Sequence, residues 1–145
     1  MHIRPLASRV AALALLALTL GAHPQSDPDA ALARVERGLE GGDADLVLTD
    51  MTGRVEIVLF GQGGVFGRPQ ATMVLRDFFR RHPPREVSFY EPSSSDEGQT
   101  ATGRYSTSSG GTPLSVRVLH RADGDRWELA SIRIDQRSTV RAGGR

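Results

Sequence analysis

The sequence predicts an α+β domain: a strongly bent antiparallel sheet, with N-terminal helices and one long amphipathic helix packed on its concave face. Three observations carry this expectation. The segment from Leu59 to Pro84, LFGQGGVFGRPQATMVLRDFFRRHPP, reads as a strand end, a glycine turn, a return strand and a helix stopped by two prolines. Two shorter helical segments precede it. Four strand-like segments follow it, with no further helical periodicity.

Ahead of these elements lies a leader. Arg4 and Arg9 are followed by the apolar run Val10–Leu20 and by the small residues Gly21-Ala22. That is the layout of a secretory signal peptide over residues 1–22, with cleavage expected near Gly21 to Gln25. The run is shorter than the roughly 20 residues of a membrane span, so no stable membrane anchor is expected after cleavage. The expected location is therefore exported, periplasmic or extracellular. The chain has no cysteine, which excludes a lipoprotein anchor, disulfides and thiolate metal sites. An exported domain of this kind must be held by its core alone.

The domain is expected over residues 27–135, and residues 136–145 as a disordered tail. Asp27-Pro28 is a helix start, and Leu32, Val35 and Leu39 then share one helical face. Gly41-Gly42 ends that helix and Asp43 caps a second over Ala44 to Thr49. Val55 to Phe60 is a strand, turned back by the glycines at 61, 63 and 64. Pro69 opens the long helix, where Ala71, Val74, Leu75, Phe78 and Phe79 cover one arc and Arg76 lies opposite. Strands are expected over residues 85–90, 100–108, 113–121 and 126–135, with residues 92–98 (PSSSDEG) as a polar loop.

Register decides which residues face the core. A two-residue Asp123-Gly124 loop splits the apolar residues of the last hairpin between faces. A three-residue loop, Ala122-Asp123-Gly124, puts Leu114, Val116, Val118, Ala130, Ile132 and Ile134 on one face, and is preferred. It places Leu119, Trp127 and Leu129 together on the outer face, Leu119 opposite Trp127, rimmed by Arg104, Arg117 and Arg133. An apolar cluster of this kind on the outer face would be an association surface, so a homodimer through Arg104, Arg117, Leu119, Trp127 and Leu129 is expected.

Chemistry is sparsely signalled. Removing Arg4 and Arg9 leaves 16 basic residues, all arginine, against 17 acidic, so there is no basic field for nucleic acid. The glycines after Phe60 do not make a dinucleotide loop, because Phe66 stands where that fingerprint needs glycine. No histidine pair has metal-ligand spacing, and no serine stands in a nucleophile elbow. Neither a catalytic set nor a cofactor nor a metal is expected. On the preferred register Tyr105, His120 and Glu128 point to the helix side of the sheet. They are the candidate ligand-binding residues, with His120 and Glu128 read as a solvated rim near the Asp123-Gly124 turn.

The run Phe66-Gly67-Arg68-Pro69-Gln70-Ala71, then Leu75-Arg76-Asp77-Phe78-Phe79 and Pro83-Pro84, resembles the bacterial exported family called domain of unknown function 4783. So do Gly103-Arg104-Tyr105-Ser106-Thr107 before a glycine turn and Ile132-Arg133-Ile134 near the end. The resemblance covers roughly residues 30–135 and implies the nuclear-transport-factor-2-like cone fold. It brings no activity or catalytic residue with it. Three functions follow as expectations. The first is a non-catalytic module binding a small ligand or an envelope protein. The second is a pocket enzyme of isomerase or dehydratase type using Tyr105, His120 or Glu128. The third is a structural homodimer subunit of an envelope assembly. A core closed by Phe78, Phe79 and Tyr105 would speak against the enzyme.

Overall fold

The computed structural model describes residues 27–90 and 92–137. The expected leader, 1–22, lies outside the described residues, as does the expected tail, 136–145, beyond Arg137; its first residue, Gln136, still belongs to the last strand. The element order is α1 (Pro28–Gly41), α2 (Ala44–Val47), β1 (Arg54–Leu59), β2 (Gln62–Gly67), α3 (Arg68–Arg81), β3 (Pro84–Phe89), β4 (Ser93–Ser95), β5 (Gly98–Thr107), β6 (Leu114–Asp123) and β7 (Arg126–Gln136).

Local chemistry sets the helix ends. The Asp27 carboxylate accepts the Asp29 amide at 2.9 Å, and Gly42 closes α1 in the left-handed region. Asp43 accepts the Leu46 amide at 3.0 Å and starts α2, which stops at Val47, short of the expected Thr49. Ala31, Leu32, Val35 and Leu39 of α1 are buried, as are Ala71, Leu75, Phe78 and Phe79 of α3. Both helices thus bury the faces that their apolar spacing marks.

The strands form one sheet in the order β2-β1-β7-β6-β5-β3, with β4 paired to β5. The helices lie on the same side as the buried face of β5, β6 and β7. There α1 packs on β3 and β6, and α3 on β1 and β2. The core lies between these layers.

The expectation of a strongly bent, wholly antiparallel sheet is corrected on two counts. β1 and β7 run parallel, Ile57 facing Ile132 and Leu59 facing Ile134, so the sheet is mixed. It is also not strongly curled or closed: β2 and β3 end the order unpaired with each other. Both follow from the way the β1–β2 hairpin attaches. It joins the far edge of the β5–β6–β7 meander alongside β7 rather than folding back across it.

Two further local expectations change. The polar segment 92–98 contains β4, whose Ser93 faces Thr100 and whose Ser95 faces Gly98. The last hairpin has neither of the weighed registers. Asp123 pairs with Arg126, leaving Gly124-Asp125 as a two-residue loop. A bulge then follows: His120 faces Leu129 but Leu119 faces Ser131, so Ala130 is the extra residue on β7. The bulge turns Leu129 to the core face along with Ile132 and Ile134, and all three are fully buried.

This removes the expected outer apolar cluster. Leu129 is 0% exposed, Leu119 lies opposite Ser131, and Trp127 lies opposite Ala122 near the hairpin end. Arg104 faces Ser115. Arg117 faces Arg133 directly, and Glu56 of β1 lies 3.4 Å from the Arg133 guanidinium. The outer face there is a charged surface, and the apolar argument for a dimer across it falls away.

Candidate functional site

The β1–β2 hairpin closes with Leu59 facing Gln62, so its loop is the dipeptide Phe60-Gly61. Both residues have positive φ, 53° and 76°. Two-residue hairpins favour this conformation because it matches strand twist, and they normally place Asn, Asp or Gly at the first position. A phenylalanine there carries backbone strain. The neighbouring strand holds it in place: the Phe60 amide donates to the Ile134 carbonyl at 2.8 Å, and the Gly61 amide to the Asp135 carboxylate at 3.0 Å.

The strained position carries an aromatic ring to the end of α3. The Phe60 ring lies 5.1 Å from the His82 imidazole and 6.3 Å from the Phe78 ring, and Phe78 and His82 are themselves 5.1 Å apart. These three rings help to line an open groove of about 600 Å³ between α3 and the hairpin, together with Leu59, Gln62, Met73, Val74, Asp77 and Arg81. Phe60 is 39% exposed and Met73 68% exposed. Asp77 holds both Arg80 and Arg81 by ion pairs.

Beneath the groove the fold is filled. Phe78 packs edge-on against Phe79 at 5.8 Å and at a tilt against Tyr105 at 5.3 Å. The Tyr105 hydroxyl donates to the His82 carbonyl at 2.6 Å, which fixes the backbone under the groove wall. Burial raises the Tyr105 pKa well above the ordinary tyrosine value, so this hydroxyl stays protonated as a donor. Tyr105 is a core anchor here, without access to a ligand.

The other two sequence candidates lie elsewhere. His120 pairs with Gln99 on β5, six residues along that strand from Tyr105, which is about 20 Å at the rise of an extended chain. Glu128 lines a separate polar cleft with Trp127 and the Arg34–Asp50 ion pair. The structure therefore does not bring Tyr105, His120 and Glu128 together. His120 is also not a solvated rim: it is 1% exposed, the fourth inward residue of β6 after Leu114, Val116 and Val118. Among the described residues, no group of three or more His, Asp or Glu could hold a metal ion.

His120 Nε2 and Gln99 Oε1 are buried without a hydrogen-bond partner, while Gln99 Nε2 donates to Asp29 at 3.3 Å. Desolvation lowers the His120 pKa from its ordinary 6.5, Asp50 partly opposing this and Arg34 adding to it. The folded state therefore resists a proton that the unfolded chain takes up. Stability is full above about pH 6.5 and falls as pH drops below it, towards the depressed folded pKa. Thermal melts from pH 8 to pH 5 are expected to show this acid-side loss, and His120→Leu is expected to flatten it. An equal slope in both proteins would show that His120 does not titrate between the two states.

Sequence reasoning missed the groove residues Phe60 and Met73, and read the Arg80-Arg81-His82 cluster first as a match to the negative end of the helix dipole, with an anion or lipid-headgroup site as the lesser alternative. The available signal was the Phe-Gly dipeptide itself, an aromatic standing where a tight hairpin prefers Asn. Assigning the turn to the glycines at 61, 63 and 64 hid it, because Gly63 and Gly64 belong to β2.

The geometry agrees with comparisons against known proteins. The profile of the family described as domain of unknown function (DUF4783) matches residues 32–135. No match is found among curated proteins. Among solved structures, a DUF4783 family protein from Bacteroides ovatus superposes with a TM-score of 0.66 at 20% identity, over 72% of this chain and 94% of that one. Another from Bacteroides uniformis gives 0.65 at 16% identity, over 72% and 95%. An NTF2-like protein of unknown function from Shewanella baltica gives 0.57 at 13% identity, over 73% and 87%. At these identities the likeness shows the fold alone, and it is the NTF2-like, cystatin-like fold. The family match spans well over half the chain: this protein belongs to the DUF4783 family.

Proposed function

We propose that this domain is a non-catalytic binding module, exported by its leader, that takes its ligand in the groove between α3 and the β1–β2 hairpin. One observation carries the reading: Phe60 is held in a strained conformation that leaves its ring exposed at the groove wall. Strain of this kind gathers at ligand clamps, where the surrounding structure enforces it. The groove volume lies within the range of small-molecule sites, roughly 300–1,000 Å³. Its ionisable groups do not form an acid–base pair, since Asp77 is held by two guanidiniums. The aromatic filling of the core by Phe78, Phe79 and Tyr105 leaves the isomerase-type reading without support.

Phe60→Asn tests the assignment. Asn-Gly is the preferred dipeptide for this turn, and the relieved strain offsets the lost ring contacts. Stability of the secreted protein, its leader removal checked by intact mass, is expected to change by less than about 1 kcal/mol. Binding of an apolar fluorescent probe is expected to drop at least about tenfold, on the scale of one lost aromatic wall. Unchanged binding, or a loss of about 3 kcal/mol in stability, would show that Phe60 serves the fold and not a ligand.

A further inference from the structure

Resting on that reading of the groove, we infer that its ligand is a small amphipathic anion, with a flat apolar body against Phe60 and His82, which the buried Phe78 backs, and one anionic group at Arg81. The ring wall supplies the apolar half. Phe60 and His82 sit 5.1 Å apart by centroid and both rest on the buried Phe78, so the ring surface left for a flat body is that of Phe60 and His82. Among the described residues, four large hydrophobics are exposed, and two of them, Phe60 and Met73, line this one groove.

The charge comes from a surplus at the end of α3. The single Asp77 carboxylate is shared by Arg80 and by Arg81, the latter at 2.7 Å. Two guanidiniums on one carboxylate leave one positive charge in excess. The C-terminal end of α3 contributes a partial negative charge of about one half, so the rim remains positive. A guanidinium has five N–H donors, and the Arg81 side chain is 71% exposed, so it has donors left for a ligand. A carboxylate or sulfonate lying at Arg81 would complete the balance that Asp77 leaves short. A neutral ligand would not, and a cation would be repelled.

Two dyes with the same N-phenylnaphthylamine body separate the two halves of this inference. N-phenyl-1-naphthylamine is neutral, and 8-anilinonaphthalene-1-sulfonate carries one sulfonate. In fluorescence titrations at low salt the sulfonate dye is expected to bind about fivefold more tightly, the scale of one exposed ion pair. High salt is expected to erase that preference. Arg81→Gln should abolish it while leaving the neutral dye unaffected, and Arg104→Gln, on the outer face, should preserve it. Equal affinity for both dyes in the wild type would overturn the anionic preference while leaving the groove standing. So would a preference that survives Arg81→Gln. Failure of both dyes to bind, in a protein that melts normally, would remove the groove as a binding site altogether.

Discussion

Phe78→Ala is expected to lower unfolding free energy by about 3–5 kcal/mol, the cost of emptying a buried aromatic site that cannot collapse. Phe78 is 3% exposed and touches four other rings, those of Phe60, Phe79, His82 and Tyr105. It joins α3 to the sheet through Tyr105 and to the hairpin through Phe60, so no single neighbour can fill the space it leaves. The matched control is Arg76→Ala. Arg76 pairs with Asp45 at 2.9 Å, but both side chains are mostly exposed, and pairs of this kind contribute about 0–1 kcal/mol. Denaturant melts of the two variants read the contrast directly. Similar losses in both would mean that α3 does not bury the face described.

Gly103→Ala is the second large effect, expected to cost about 2–3 kcal/mol as an overpacking substitution. Gly103 lies on β5 between two paired strands, opposite Phe89 of β3 and Val116 of β6. A Cβ there would stand 2.4 Å from the Ser88 carbonyl oxygen and 2.9 Å from the Phe89 ring. The first neighbour is backbone held in the sheet and cannot rotate away, so β3 itself must shift. The same substitution at Gly41, where a Cβ meets nothing within 4 Å, should be neutral or slightly stabilising, as for any glycine replaced within a helix. Thermal melts of the pair measure the difference. A Gly103→Ala protein as stable as wild type would show that β3 is loosely held.

The parts legible in the sequence were those with a local cause. Asp27 and Asp43 cap helices because their carboxylates reach amides two or three residues on, and the apolar spacing of α1 and α3 marks their buried faces. Leu114, Val116, Val118, Ile132 and Ile134 were placed on the core side and are buried. What escaped depends on contacts between distant segments. The parallel pairing of β1 with β7 joins residues more than 70 positions apart, and alternation within a strand says nothing about which edge it will join. The bulge at Ala130 breaks the strict period of two, and register arguments assume that period. That one extra residue moved Leu129 from the outer face to the core, where it lies opposite the buried His120. The candidate site was missed for a related reason. Tyr105, His120 and Glu128 were grouped by face alone, whereas the groove is assembled from a hairpin turn and a helix end that meet only in the folded chain.

The central claim is that the groove beside Phe60 is the binding site, and the folded domain contains its own pair of reporters. Met73 lines the groove and is 68% exposed, while Met51 lies in the core and is 5% exposed. With methionine methyl groups labelled with carbon-13, titration of 8-anilinonaphthalene-1-sulfonate followed by NMR is expected to shift the Met73 methyl resonance progressively to saturation and to leave that of Met51 in place. A saturable change in dye fluorescence with the Met73 methyl unmoved would place the dye elsewhere and contradict the account.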